Sequence, residues 1–128
     1  MENKFSATAR LKSFGYAFKG LKYFFGSQPN ALLQSVAAAG AVAAGFLLNI
    51  SHAEWLWIIA CIGFVLFAEM TNTAVEYLAD VVSPGHHEKV GKLKDIAAGA
   101  VLTASMTALI IGLMIFVPHI KELVSATE

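Results

Sequence analysis

Four side chains able to hold a metal or move a proton recur at helical spacing in this 128-residue chain: Glu69, Asn72, Glu76 and Asp80. No Gly or Pro interrupts residues 69–80, so spacings of three, four and four place all of them on one face of a helix. At about 1.5 Å of rise per residue, Glu76 lies about 10 Å from Glu69 along the axis and Asp80 about 6 Å further. The stripe follows directly on the apolar run 55–68 and so forms a ladder from apolar depth to water. A charged side chain at the centre of a membrane span costs about 2.5 kcal/mol or more, which makes it functional by default. Phosphoryl transfer matches such a ladder. It needs oxygen ligands for Mg²⁺ on nucleotide phosphates, a cation for the transferring group and a base for the attacking hydroxyl. Glu76, with Asn72 and Asp80, can supply the oxygens, and Lys94 the cation. Glu69, deepest of the four, is placed where a lipid hydroxyl would lie and is suited to act as general base. Lys94 and Asp95 are expected at the start of the following helix, whose free amides and positive dipole end favour an anion. The structural alternative is a set of polar groups that cap a helix bundle at headgroup level. There is no G-x-x-x-x-G-K-[ST] loop and no zinc-type spacing. His86 and His87 fall in a Pro-Gly loop where solvation is the plain reading, and His52 and His119 look like interface residues.

The elements that must position this stripe follow from composition. At 57% hydrophobic and 14% charged, with a mean hydropathy of +0.65, the chain is too apolar for an ordinary soluble domain and belongs in a bilayer. A formal net charge of zero offers no field to recruit nucleic acid. The single Cys61 can form neither an internal disulfide nor a cysteine-rich metal site. The first residues lack the apolar core and small-residue cleavage site of a signal peptide, so no cleaved leader is expected. Leu11, Phe14, Phe18, Leu21 and Phe25, flanked by Arg10, Lys12, Lys19 and Lys22, predict an amphipathic helix over about 7–25 that lies on an anionic membrane surface. Pro29 disfavours helical geometry at Gln28, where the chain turns into the membrane. Three spans are expected, over about 31–50, 54–82 and 93–117, the last ended by Pro118. Small residues at 37–45 predict a helix-contacting face on the first span, and Trp55 and Trp57 are placed as interfacial anchors. Lys4, Arg10, Lys12, Lys19, Lys22, Lys89, Lys92 and Lys94 are eight of the nine cations and share one side. That side, with the N-terminus and the ladder, is expected in the cytoplasm and the C-terminus outside.

Residues 69–80 and 91–102 closely resemble the bacterial diacylglycerol kinase and undecaprenol kinase family. The pattern E-x-x-N-[ST]-A-x-E-x-x-x-D is met in full by Glu69, Asn72, Thr73, Ala74, Glu76 and Asp80, and Gly15 to Leu21 in the surface helix also matches. The resemblance implies an all-α membrane protein, with three transmembrane helices and an N-terminal surface helix, assembled as a homotrimer. It implies ATP-dependent phosphorylation of a membrane lipid alcohol, with active sites at the cytoplasmic face of the inner membrane. Carried over by position, Glu69 would be the catalytic base and Glu76 a magnesium ligand. Asn72, Asp80, Lys94 and Asp95 would shape the nucleotide site, flanked by Tyr16 and the Gly85, His86 and His87 loop, with Arg10 approaching the phosphates. Asn30, Gln34 and Ala98 would lie near the lipid substrate. The family's second magnesium-binding glutamate falls on Gln28, whose amide oxygen is a weaker ligand for a hard cation. Residues 80–84 and 95–102 look more like the undecaprenol branch. Two other readings remain open. One is a small proton-coupled transporter, which would place its carboxylate near mid-bilayer; the other is a member of the kinase scaffold impaired by Gln28.

Overall fold

A computed structural model describes residues 6–126. It contains four helices: α1 (Ala7–Ser27), α2 (Pro29–Leu47), α3 (His52–Val82) and α4 (Glu88–Ser125). The last three are each long and apolar enough to cross a membrane. Lys4, one of the cations used to orient the chain, lies outside the described residues.

The break between α1 and α2 is a single residue. Gln28 is extended, at φ −109° and ψ 118°, and Pro29 opens α2 at a position where its missing N–H is no loss. Along α1, Leu11, Phe14, Phe18 and Phe25 stay exposed while Phe24 is buried. Most of the predicted apolar stripe thus stays exposed, with Leu21 half-buried, and one phenylalanine beside it docks the helix to the bundle.

The turn from α2 to α3 is built entirely from local chemistry. Asn49 takes a left-handed φ of 50°, which asparagine tolerates better than most residues. The Asn49 N–H donates to the Phe46 carbonyl at 3.3 Å and that of Ile50 to the Gly45 carbonyl at 3.2 Å, the two bonds of a Schellman stop. Two residues later a capping box starts α3: Ser51 Oγ accepts from the Glu54 N–H at 3.3 Å, and Glu54 Oε2 accepts from the Ser51 N–H at 2.7 Å. Gly45 permits the close approach that follows, because a Cβ there would stand 2.7 Å from the Trp55 ring.

α3 and α4 form the main pair. Two buried clusters join them, Ile58 with Ile50 and Ile115 toward the Trp55 end, and Val65 with Ala68 and Ala104 further along. α2 lies along this pair. At about 1.5 Å per residue α3 is about 46 Å long, against a hydrocarbon core of about 30 Å. Counted from Trp55, Glu69 falls about 21 Å along and Asp80 about 37 Å, so the ladder straddles the far membrane boundary.

Two expectations need correction. Pro118 does not end the last span: it lies inside α4, which continues to Ser125. The backbone loses one hydrogen bond, a loss transmembrane helices tolerate, and the continued turn carries His119 to within 3.0 Å of Glu54. Lys94 and Asp95 do not stand at a helix start, because α4 begins at Glu88 immediately after the loop and is held there by the Glu88–Lys92 pair. They lie more than a turn inside it, beyond the reach of its free amides. Beyond what the spacing predicts, Trp55 packs on Gly45 and Phe46, while Trp57 points outward. The small-residue stretch of α2 meets the other helices along Ala38, Ala41 and Gly45, as expected, while Ala37, Ala39, Gly40 and Ala43 are exposed.

Candidate active site

One face of α3 carries polar groups into protein rather than into water. Glu69 is 4% exposed and Asn72 7% exposed, with Thr73 buried beside them. Glu76, one turn on, is half-buried, and Asp80 is exposed. The depth gradient expected from the spacing is therefore present in the packing.

Each rung has a distinct partner. Glu69 Oε1 accepts a hydrogen bond from Gln34 Nε2 of α2 at 3.3 Å. Asn72 Nδ2 donates to Glu76 Oε1 at 3.1 Å, an i to i+4 contact that holds both side chains along the helix. The other end of that amide, Oδ1, is buried without a hydrogen-bond partner among the described residues. A buried acceptor left unpaired costs about 1–3 kcal/mol, so the position is one where a ligand's donor or a cation would be gained. At the water end, Lys94 Nζ meets Asp80 Oδ1 at 2.5 Å and ties α4 to α3 across the loop. Lys94 is thus engaged by Asp80 and would have to exchange that partner to reach a phosphate.

Magnesium can be tested against these donors. Among the described residues no three His, Cys, Asp or Glu side chains converge on one point. Mg²⁺, however, is commonly held by one or two carboxylates with substrate phosphates and water completing its shell. The Glu76 carboxylate and the unpaired Asn72 oxygen are hard oxygen donors one turn apart, and they fit that requirement.

The remaining predicted residues are more dispersed. Gln28 stands at the α1–α2 break, where its Nε2 donates to the Tyr77 hydroxyl at 3.3 Å. Tyr23 also meets Tyr77, hydroxyl to hydroxyl at 2.5 Å, with ring centroids 5.6 Å apart. This clasp joins α1 to α3 beside Glu76. Sequence reasoning missed both tyrosines, since nothing in their spacing announces a pairing across 54 residues. Tyr16 is exposed on α1 with Lys19 Nζ 5.7 Å from its ring centre. Arg10 is exposed on the same helix, about 20 Å along the axis from Tyr23. Gly85, His86 and His87 occupy the exposed loop, where Ser83 Oγ donates to the Gly85 carbonyl at 3.3 Å. Asn30, Asp95 and Ala98 are exposed.

Two concavities flank the stripe. A groove of about 440 Å³ runs between α2, α3 and α4, lined by Ala38, Ala41, Ile58, Val65, Ala108 and Phe116 among others, with Gln34 on its wall. A smaller cleft of about 150 Å³ lies between α3 and α4 and includes Phe67, Asn72 and Ala97.

Comparison with known proteins covers most of the chain. The family model for prokaryotic diacylglycerol kinase matches residues 15–116, which include every rung of the ladder and its partners on α2 and α4. The chain is 36% identical over 109 residues to an undecaprenol kinase of Bacillus subtilis, covering 85% of this chain and 89% of the relative. It is 32% identical over 114 residues to a diacylglycerol kinase of Synechocystis, covering 88% of this chain and 65% of that protein. Against a diacylglycerol kinase of Escherichia coli K12 it is 29% identical over 103 residues, covering 80% of this chain and 84% of the relative. With three membrane-length helices, a graded polar face on the second of them and a family match across most of its length, the chain belongs to the prokaryotic diacylglycerol kinase family of membrane lipid kinases.

Proposed function

We propose that this chain transfers the γ-phosphate of ATP to a membrane lipid alcohol, undecaprenol or diacylglycerol, at the cytoplasmic water boundary of the inner membrane. The carrying observation is the buried carboxylate of Glu69 in line with the half-buried carboxylate of Glu76 on one helix face. Glu69 is the general base: it takes the proton of the acceptor hydroxyl, whose oxygen bonds to the γ-phosphorus as the bond to the ADP oxygen breaks. Glu76 and the Asn72 oxygen are the groups that would hold Mg²⁺, which when bound neutralises charge on the phosphates. Asp80, Lys94, Asp95 and the Gly85, His86 and His87 loop border the nucleotide from the water side, and Tyr16 and Arg10 approach it from α1. Asn30, Gln34 and Ala98 border the lipid. The depth of Glu69, about 9 Å inside the boundary when the span is counted from Trp55, suits a hydroxyl carried by a lipid better than one carried by a soluble substrate.

Undecaprenol is the acceptor we favour, on the resemblance of residues 80–84 and 95–102 to that branch and on the identity with the Bacillus subtilis enzyme. Assembly as a homotrimer agrees with the outward-facing Ala39, Gly40 and Ala43 of α2, which leave room for close helix contact with another copy. The test is transfer of label from γ-labelled ATP to a panel of lipid alcohols by the purified chain in detergent. Phosphorylated undecaprenol is expected, with diacylglycerol a poorer acceptor. Magnesium-dependent nucleotide binding without a phosphorylated lipid would overturn the proposal.

A further inference from the structure

A carboxylate nearly sealed from water is expensive unless hydrogen bonds replace its hydration. The bond that Glu69 receives comes from a different helix: Gln34 of α2 donates Nε2–H to Oε1 at 3.3 Å. An ionised carboxylate can only accept, so the amide must present its nitrogen here, whichever way the amide is drawn. The choice of side chain also matters. α2 carries no ionisable residue between Pro29 and Leu47, so the donor is neutral. A lysine or arginine in its place would stabilise the anion strongly and make it a poor base, whereas an amide fixes its direction without cancelling its charge. Gln34 also stands on the wall of the apolar groove between α2, α3 and α4, which is otherwise lined mainly by alanine and aliphatic side chains.

We propose that Gln34 is a positioning residue for Glu69, holding Oε1 so that Oε2 is turned toward the acceptor hydroxyl. It moves no proton itself. The inference rests on the reading of Glu69 as general base, and the experiment separates the two.

Full-length Gln34→Leu, Gln34→Glu and Glu69→Gln would be assayed in lipid nanodiscs with ATP and two acceptors of equal chain, the natural alcohol and a fluorinated, more acidic analogue. Gln34→Leu keeps the size of the side chain and loses the donor, so kcat on the natural alcohol is expected to fall about tenfold, with KM for both substrates within about twofold. Gln34→Glu, which sets a like charge against the base, is expected to lose more. The deficit should shrink on the acidic acceptor, which asks less of the base. A merely structural role would depress both acceptors equally. That result, a change confined to KM, or unaltered kcat in Gln34→Leu would overturn the inference.

A second measurement needs no turnover: the rate at which dicyclohexylcarbodiimide, a lipid-soluble carboxyl reagent, labels Glu69, read by mass spectrometry. Loss of the donor is expected to speed labelling about threefold, and an unchanged rate in both Gln34 variants would overturn the contact itself. Full activity in Glu69→Gln would remove the base assignment instead, and the labelling would then still decide whether Gln34 governs that carboxylate.

Discussion

Glu54 and Glu69 sit on the same helix about 22 Å apart, and the protein treats them in opposite ways. Glu54 has both oxygens engaged: Oε2 accepts from the Ser51 N–H at 2.7 Å and Oε1 meets His119 Nε2 at 3.0 Å. It closes a capping box and ties the far end of α4 to the start of α3. Glu69 is more deeply buried, yet among the described residues its one hydrogen bond is the 3.3 Å contact with Gln34, and one turn away Asn72 holds an oxygen with no partner among them. Polar groups that serve stability tend to be satisfied within the fold, since an unpaired one costs more than a paired one contributes. A group left partly unsatisfied in a buried place calls for a further partner, such as a ligand, an ion or a water. The first region reads as architecture, and the second is the proposed site.

That contrast can be broken by substitution, and the largest effect is expected at its centre. Glu69→Gln should lower kcat for lipid phosphorylation by about 10²–10⁴-fold with thermal unfolding close to the parent's, measured by label transfer and by a melting curve on the same preparation. Glu76→Gln should raise the KM for MgATP about tenfold, with a smaller effect on the KM for lipid; equal effects on both would detach Glu76 from the nucleotide. On the architectural side, Ser51→Ala should cost about 1 kcal/mol of stability through the lost cap and leave kcat unchanged. The smallest effect sharpens the boundary between the two regions. Gln28→Glu places a carboxylate beside Tyr77, next to Glu76, and should lower the half-saturating magnesium concentration about threefold. An unmoved titration would assign Gln28 to the clasp with Tyr77 alone.

The polar ladder was legible because helical spacing maps directly onto a face, so Glu69, Asn72, Glu76 and Asp80 could be ranked by depth before any contact was known. The surface helix and the break at Gln28 were legible for the same reason, as properties of periodicity and of one proline. What stayed hidden depends on distances between elements. The hydrogen bond from Gln34 to Glu69 and the Tyr23–Tyr77 clasp join residues far apart in sequence, although a glutamine within an apolar span was a signal for the first, since interhelical polar contacts are common in membranes. Pro118 misled because a rule that holds for isolated helices yields to packing: the helix passes through it, and His119 reaches Glu54. Lys94 misled because the loop is short, so that α4 starts at Glu88 rather than near the lysine, and pairing with Asp80 replaces the expected position at a helix end.

The central claim is that the buried, half-satisfied carboxylate works and the fully satisfied one supports. It is tested most directly by placing Glu69→Gln and Glu54→Ala side by side in one experiment, with phosphate transfer to the lipid alcohol and thermal unfolding both measured. The account predicts that Glu69→Gln loses transfer and keeps its melting temperature, while Glu54→Ala melts several degrees lower and keeps its turnover in the cold. Transfer that survives in Glu69→Gln, or that vanishes in a well-folded Glu54→Ala, would contradict it.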